Sequence, residues 1–373
     1  MQFEILHTSS KSRARVGRIH TPHGTIDTPN FVAVGTNGTL KALDNKTVQE
    51  IGLQLMFCNT YHLLLQPGTE IVRDGGGIHT FINRQLPIIT DSGGFQVFSL
   101  AYGSVASELK SQGTKKTDGS VLKITEDGVL FRSYRDGKKI LLTPESSIQA
   151  QKNLGADIII PFDELPPYHI DREKLAESLE RTHRWEERSL QEHLKNPQDQ
   201  AIYAVIHGGI DPDLRQRSCE VLSKLSFDGF AIGGSMGKTK EQMIGMLTAM
   251  MPSLPVEKPN HLLGIGDLES ITACIPLGID TYDSSYPTRA ARHGMALTGG
   301  GAVNLTKSEY AAQFEPIERK CTCNTCRHFT KAYLNHLFKA REITALTLTT
   351  IHNLHFMVEL MKNYRTAIAA DLL

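Results

Sequence analysis

Ala201-Ile-Tyr-Ala-Val-Ile-His-Gly-Gly209 is a short apolar run, rich in β-branched and aromatic residues, closed by a histidine and two glycines. Similar runs recur at Pro87–Thr90, Ala156–Pro161, Gly229–Ile232, His261–Ile265 and Gly278–Tyr282. Amphipathic stretches such as Asp171–Leu194 and Asp213–Leu225 lie between them. Strands alternating with helices imply parallel βαβ units, and six or more such units favour a closed (β/α)8 TIM barrel over an open sheet.

Each run ends on residues suited to chemistry. Asp91-Ser-Gly-Gly-Phe-Gln96 follows Pro87–Thr90, and Asp163-Glu164, His207-Gly-Gly209, Gly233-Gly234, Gly264-Ile-Gly266 and Asp283 follow or close the others in chain order. In a parallel barrel all these points share the C-terminal mouth, where catalytic groups gather. Carboxylates far apart in sequence converge there, beside glycines that let a flat ligand approach the backbone.

The chain has 373 residues, 40% hydrophobic and 21% charged, enough for a large buried core. A barrel often fills about 250 residues as one unit. The expected division is a barrel body over 1–306, a small metal-bound unit over 307–350, and a C-terminal helix over 351–373 that packs back on the barrel. No apolar run approaches the ~20 residues that span a membrane. Met1–Gly24 lacks a signal-peptide core, so a cytoplasmic protein is expected. The segment Ser104–Ser120 is polar and aperiodic and reads as a loop. Zero net charge argues against a general nucleic-acid binder. From Pro287 onward, however, eleven Lys/Arg face six Asp/Glu, so the preceding residues carry −5. That basic end suits an anionic partner or is simply a solvated surface.

Three of the six cysteines, Cys321, Cys323 and Cys326, fall within six residues, and His352 follows 26 residues later. Three thiolates and one imidazole make a closed tetrahedral Zn2+ set of structural type. His328, His336 and His355 compete with His352 for the fourth place.

Taken singly, the acids are ambiguous. Asp91 opens a Gly-rich turn and could be a helix N-cap. Asp163 and Glu164 could form a turn or a salt bridge. Asp283 precedes Ser284-Ser-Tyr-Pro-Thr-Arg289, whose Arg289, with Arg292, could hold phosphate or pair with Asp283 or Asp280. Together, acids on one barrel face point to a catalytic site. Two carboxylates at one sugar suggest glycosidic chemistry. His207 and His261 are too isolated for a catalytic metal.

These residues resemble the tRNA-guanine transglycosylases. The likeness runs from about Phe3 to the C-terminal helix through Gly24–Pro29, Asn59-Thr-Tyr-His62, Asp91–Gln96, Phe162-Asp-Glu164, Phe230–Gly234, Tyr282-Asp283, Pro287-Thr-Arg289 and the Cys321/Cys323/Cys326/His352 set. The resemblance implies exchange of the wobble guanine of tRNAs with G-U-N anticodons for a deazaguanine, queuine or preQ1. It makes Asp283 the nucleophile on the ribose anomeric carbon and Asp91 the general acid/base. Asn59 would orient ribose and nucleophile. Asp163 would read the donor edge of the base, while Ser92, Gln96 and the Gly234 N–H meet its other polar edges. Phe95 would stack on its face. Gly93, Gly94, His207, Gly233, Gly237 and Leu263 complete the implied base pocket. Thr288, Arg289, Ala290, Ala291 and Arg292, with Gly264, Ile265 and Gly266, form the implied tRNA contact. Family members usually act as homodimers.

Five positions depart from the common bacterial pattern. His207 replaces a base-contacting glutamine, Leu165 a pocket cysteine, and Asp267 a lysine. Gly237 and Thr239 replace a bulkier residue and a glutamate that supports a turn reading the ammonium of preQ1. Glycine at 237 would leave room for a larger substituent, so queuine is expected to be preferred. Competing readings are a non-catalytic RNA-binding partner subunit and a metal-dependent barrel hydrolase. The presence of both Asp91 and Asp283 speaks against the first.

Overall fold

The computed structural model describes residues 1–102 and 120–373. The expected loop at 104–120 therefore lies outside the described residues except for Ser120. Strands β1 (Gln2–Thr8), β2 (Arg15–Thr21) and β3 (Gly24–Thr28) form an antiparallel N-terminal sheet. β4 (Asn30–Val34), β5 (Met56–Cys58) and β6 (Ile88–Thr90) follow, then a second antiparallel sheet of β7 (Val121–Ile124), β8 (Val129–Arg132) and β9 (Lys139–Leu142). β10 (Ile158–Ile159), β11 (Ala201–Ile206), β12 (Gly229–Ile232), β13 (Asn260–Leu262) and β14 (Thr281–Ser284) complete a closed barrel, ordered β10-β11-β12-β13-β14-β4-β5-β6. Every neighbouring pair is parallel, and Ile158 against Ile89 closes the ring. The TIM barrel expected from the strand–helix alternation is therefore present.

Why the strands read as unbroken apolar runs is now visible. Tyr203 and Val205 of β11 join Val32, Phe57, Ile89, Ile158 and Ala231 in the inner core, while Ile202, Ala204 and Ile206 join the layer under the helices. Both faces are buried, so no polar alternation survives. β4 and β5 escaped the reading of apolar runs: β5 is only three residues long, and β4 merges into the preceding β3. Phe3, Ile19 and Ile26 belong to the inner cluster, so the N-terminal sheet plugs the base of the barrel.

Helices Arg172–Lys195 and Pro212–Leu222 match the expected amphipathic stretches. The last helix runs Ile343–Ala369, beginning eight residues before the expected boundary at 351. It packs across β2, β4 and the helix Tyr286–Arg292. No helix among the described residues is long and apolar enough to cross a membrane.

Candidate active site

A cavity of about 570 Å³ opens at the C-terminal mouth and is lined by Asn59, Asp91, Ser92, Phe95, Gln96, Asp163, Gly233, Gly234, Leu263, Gly264, Asp283 and Arg289, among others. Residues from all eight barrel strands or the loops after them thus meet, as the strand ends required.

Asp283 is buried and sits on β14, one register step past the Tyr282–Leu262 pair. Its Oδ1 accepts from His261 Nε2 at 3.1 Å and from the Gly264 N–H at 2.7 Å. His261 is fully buried, with Nδ1 2.8 Å from Thr281 Oγ1. No described residue donates to the other carboxylate oxygen of Asp283. Sequence reasoning set His261 aside as isolated. The missed signal was spacing: His261 and Leu263 share the inward face of a period-two strand end.

Asp91 is not an N-cap, since the helix Gly94–Tyr102 starts three residues later. Its Oδ1 accepts from the Thr60 N–H at 2.8 Å, and its Oδ2 from Asn59 Nδ2 at 2.6 Å and Gln96 Nε2 at 2.8 Å. Burial pushes this carboxyl up to about 6, against the pull of Asn59, Gln96 and the Thr60 and Gly93 N–H groups. Every donor is uncharged, so none fully offsets desolvation. Asn59 thus bonds Asp91, and no hydrogen bond joins it to Asp283 among the described residues. Gln96 keeps a buried Oε1 without a partner.

On the far wall, Asp163 accepts from Ser92 Oγ at 3.0 Å, and its Oδ2 lies 2.6 Å from His207 Nε2. Glu164 turns away to Arg181 at 2.6 Å, the salt bridge considered for that pair. The helix Arg172–Lys195 holds this wall with a polar buried face. Ser189 Oγ accepts from the Phe162 N–H, Thr182 Oγ1 from Glu164 N–H and Glu186 from Val205 N–H. Ser218 Oγ does the same for His207. Barrel strands end here without ladder partners, and helix side chains satisfy the exposed N–H groups. Gly94 must be small, because a Cβ would stand 2.9 Å from the Asp163 carbonyl oxygen. Phe95 is half exposed on the rim.

His207 lies behind this wall and lines a second cavity of about 290 Å³, which shares Leu165 and Gly234 with the first. Gly237 borders neither. Its φ is +118°, and a Cβ there would meet Gln242 Cβ at 2.6 Å, so its smallness makes room for Gln242 rather than for a ligand. Thr239 caps the following helix by accepting from the Gln242 N–H. Of the implied tRNA set, Thr288, Ala290 and Ala291 are buried, whereas Arg289 is exposed and lines the cavity. Arg292 is half-buried, and Gly264 is exposed beside Ile265 and the buried Gly266. Neither arginine pairs with an acid among the described residues. Asp280, considered as a partner, instead binds Arg15 at 2.6 Å. Asp267 caps the helix Leu268–Cys274 and faces Lys240 at 3.4 Å.

The metal cluster assembles as its spacing suggested. His352 Nδ1 lies 3.6, 3.7 and 3.3 Å from the Sγ atoms of Cys321, Cys323 and Cys326. His352 Nε2 is 2.7 Å from the Leu297 carbonyl, which leaves Nδ1 as the ligating lone pair. Of the three cysteines His355 approaches only Cys321, at 3.8 Å, and its other ring nitrogen lies 3.3 Å from Thr322 Oγ1. These four groups could hold a metal ion.

Comparison with known proteins agrees with this geometry. The family model described as queuine tRNA-ribosyltransferase matches residues 9–373. A queuine tRNA-ribosyltransferase of Protochlamydia amoebophila is 72% identical over 372 residues, covering all of this chain and 96% of the relative. Those of Chlamydia felis and Chlamydia trachomatis are 55% and 53% identical, each over all of this chain and 99% of the relative.

Proposed function

The chain belongs to the queuine tRNA-ribosyltransferase family, and from that premise we propose that its barrel mouth exchanges the wobble guanine of G-U-N tRNAs for queuine through a ribosyl-aspartate. Asp283 attacks the ribose anomeric carbon with the oxygen not held by His261 and Gly264, and the bond to guanine breaks. Asp91, protonated, delivers a proton to the departing guanine. The incoming base then attacks the same carbon, gives its proton to Asp91, and frees Asp283. Two inversions preserve the sugar configuration. The observation that carries this reading is the pair of unlike carboxylates at one cavity. Asp91, with a pKa of about 6, can both give and take a proton near neutrality. Asp163, Ser92 and the free oxygen of Gln96 offer hydrogen bonds to a guanine-like ring, with Phe95 at its face.

Support for queuine over preQ1 comes from the second cavity rather than from Gly237. It adjoins the base pocket at Leu165 and Gly234, and Ser235 Oγ is buried there without a partner. A hydroxylated substituent would fill it and satisfy that hydroxyl. Cys321, Cys323, Cys326 and His352 hold one structural zinc per chain; elemental analysis finding none would remove that assignment. The exposed Phe314, Tyr333 and Ile343, near the metal cluster in sequence, suit a homodimer contact, which sedimentation would test. The basic C-terminal part then faces tRNA.

The deciding experiment traps the adduct. Wild-type protein with tRNA and a competing base should give an RNA–protein band that resists denaturation, and Asp283→Ala should give none. An alanine variant that still incorporates bases at the wild-type rate would end this reading. Comparing kcat/KM for queuine and preQ1 tests the base preference, and a higher value for preQ1 refutes it.

A further inference from the structure

The hairpin between β8 and β9 carries Arg132-Ser-Tyr-Arg-Asp-Gly-Lys-Lys139, four Lys/Arg against one Asp, and nothing in the mechanism uses it. Tyr134 at its tip is 57% exposed. One side of the ring rests on a rigid base. It stacks on Tyr61 with centroids 6.1 Å apart and planes at 28°, and meets His62 edge-on at 6.3 Å. Tyr61 is buried and packs on Phe131 at 5.5 Å. The Tyr134 hydroxyl lies 3.4 Å from His62 Nδ1, and His62 lines the active cavity. The tip therefore joins the cavity wall.

Barrel order says what passes over it. Around the mouth, β14 with Asp283 is followed by β4, β5 and β6, and Asp91 follows β6. A ribose between the two acids lies over the β4–β5 sector. The rim of that sector is formed by the loop after β4, with exposed Lys41, and by the helix Thr60–Leu65, with His62. Burial, then the charges of Lys41 and Arg135, disfavours a proton on His62. Arg289 lies on the opposite side, after β14. RNA threaded through the mouth needs a surface on each flank of the flipped nucleotide, and single-stranded bases are held by stacking on aromatic rings set among cations.

We propose that Tyr134 is a stacking platform for an unpaired anticodon-loop base next to the exchanged guanine, with Arg135 and Lys41 holding the adjoining phosphates. The inference rests on the tRNA-exchange reading above. It adds an RNA subsite on the flank opposite Arg289. A preset ring loses little freedom on stacking, so the contact contributes to affinity for RNA and not to the chemical step.

Full-length tRNA and free base are varied separately in the exchange assay. Tyr134→Ala should raise KM for tRNA roughly tenfold, within the range of stacking losses, while kcat and KM for the base stay within about twofold. Tyr134→Phe should behave as wild type, because the ring and not the hydroxyl carries the contact. Arg135→Ala should lower the slope of log affinity against log salt by about one in fluorescence anisotropy. An unchanged KM for tRNA in folded Tyr134→Ala overturns the proposal. So does a Tyr134→Phe variant as weak as the alanine, or a parallel rise in KM for the base, since either makes the tip a prop for His62. Wild-type protein that binds tRNA but exchanges nothing would count against the proposed function instead, and anisotropy alone would still test the platform.

Discussion

Two buried aspartates stand at opposite ends of adjacent barrel strands, Asp91 after β6 at the mouth and Asp157 before β10 at the base. Ile89 and Ile158 pair between them. Both are enclosed, yet they are driven apart. At Asp91, burial outweighs uncharged amide donors and lifts the carboxyl to about 6. At Asp157 burial also pushes upward, but His79, the Ile88 N–H and His23 overcome it and bring the group down to about 2. His79 and His23 lie 3.0 and 2.8 Å from its two oxygens, their rings stacked 3.5 Å apart. Those donor atoms are close enough to hold a metal. Parallel rings, however, aim their lone pairs side by side and not at one point, so a hydrogen-bonded clamp describes the group better. Burial by itself does not decide protonation; the kind of partner does. The mouth keeps an acid poised to exchange protons, and the base keeps one locked as a carboxylate.

The sharpest way to break this contrast is to neutralise each acid. Asp91→Asn should reduce exchange about 10²- to 10⁴-fold, the usual worth of a general acid/base, while Asp157→Asn leaves kcat near wild type. Equal losses in the two variants would erase the distinction. Next comes stability. The depressed Asp157 contributes about 2 kcal/mol near neutral pH, and its asparagine variant should melt several degrees lower.

The pH dependences carry opposite signs. Asp157 has a folded pKa below its unfolded one, so its stabilisation is complete above about pH 4 and fades toward pH 2. The gap in Tm between wild type and Asp157→Asn should be flat above pH 5 and shrink below 4. Asp91 has a folded pKa above its unfolded one, so the folded state takes up the extra proton as pH falls through about 6. The Tm of wild type relative to Asp91→Asn should therefore rise between pH 7 and 5. Melting curves across both windows would expose a shared sign, which the contrast forbids.

How much of this was legible beforehand follows from the same physics. Strand periodicity and the residues ending each run located Asp91, Asp163 and Asp283 on one mouth, and cysteine spacing located the metal set. Both are local signals. What the sequence withheld depends on tertiary partners. Strand-end spacing can turn His261 inward, but its meeting with Asp283 is a contact between neighbouring strands that no local signal encodes. Gly237 read as pocket space because glycine shows an absent side chain without showing what occupies the room, here Gln242. Thr288, Ala290 and Ala291 read as a contact surface, yet their helix turns them inward beneath the C-terminal helix. The clamp on Asp157 joins residues from three distant segments, His23, His79 and Asp157, with no motif among them.

Asp163 combines the two extremes, and so sharpens the comparison most finely. It lies at the mouth like Asp91, but one of its partners is an imidazole, as at Asp157, with His207 Nε2 2.6 Å away. If orientation is what Asp163 needs, any donor that reaches it will serve. His207→Gln keeps an N–H donor and should change kcat/KM for the base only a few-fold, mostly through KM. His207→Ala removes a hydrogen bond to a charged group and should cost about ten- to a hundredfold. Gly234 makes room for that ring, since a Cβ there would stand 2.9 Å from His207 Nδ1. A glutamine variant as weak as the alanine would mean that the imidazole itself matters, and Asp163 would then belong with the locked acid at the barrel base.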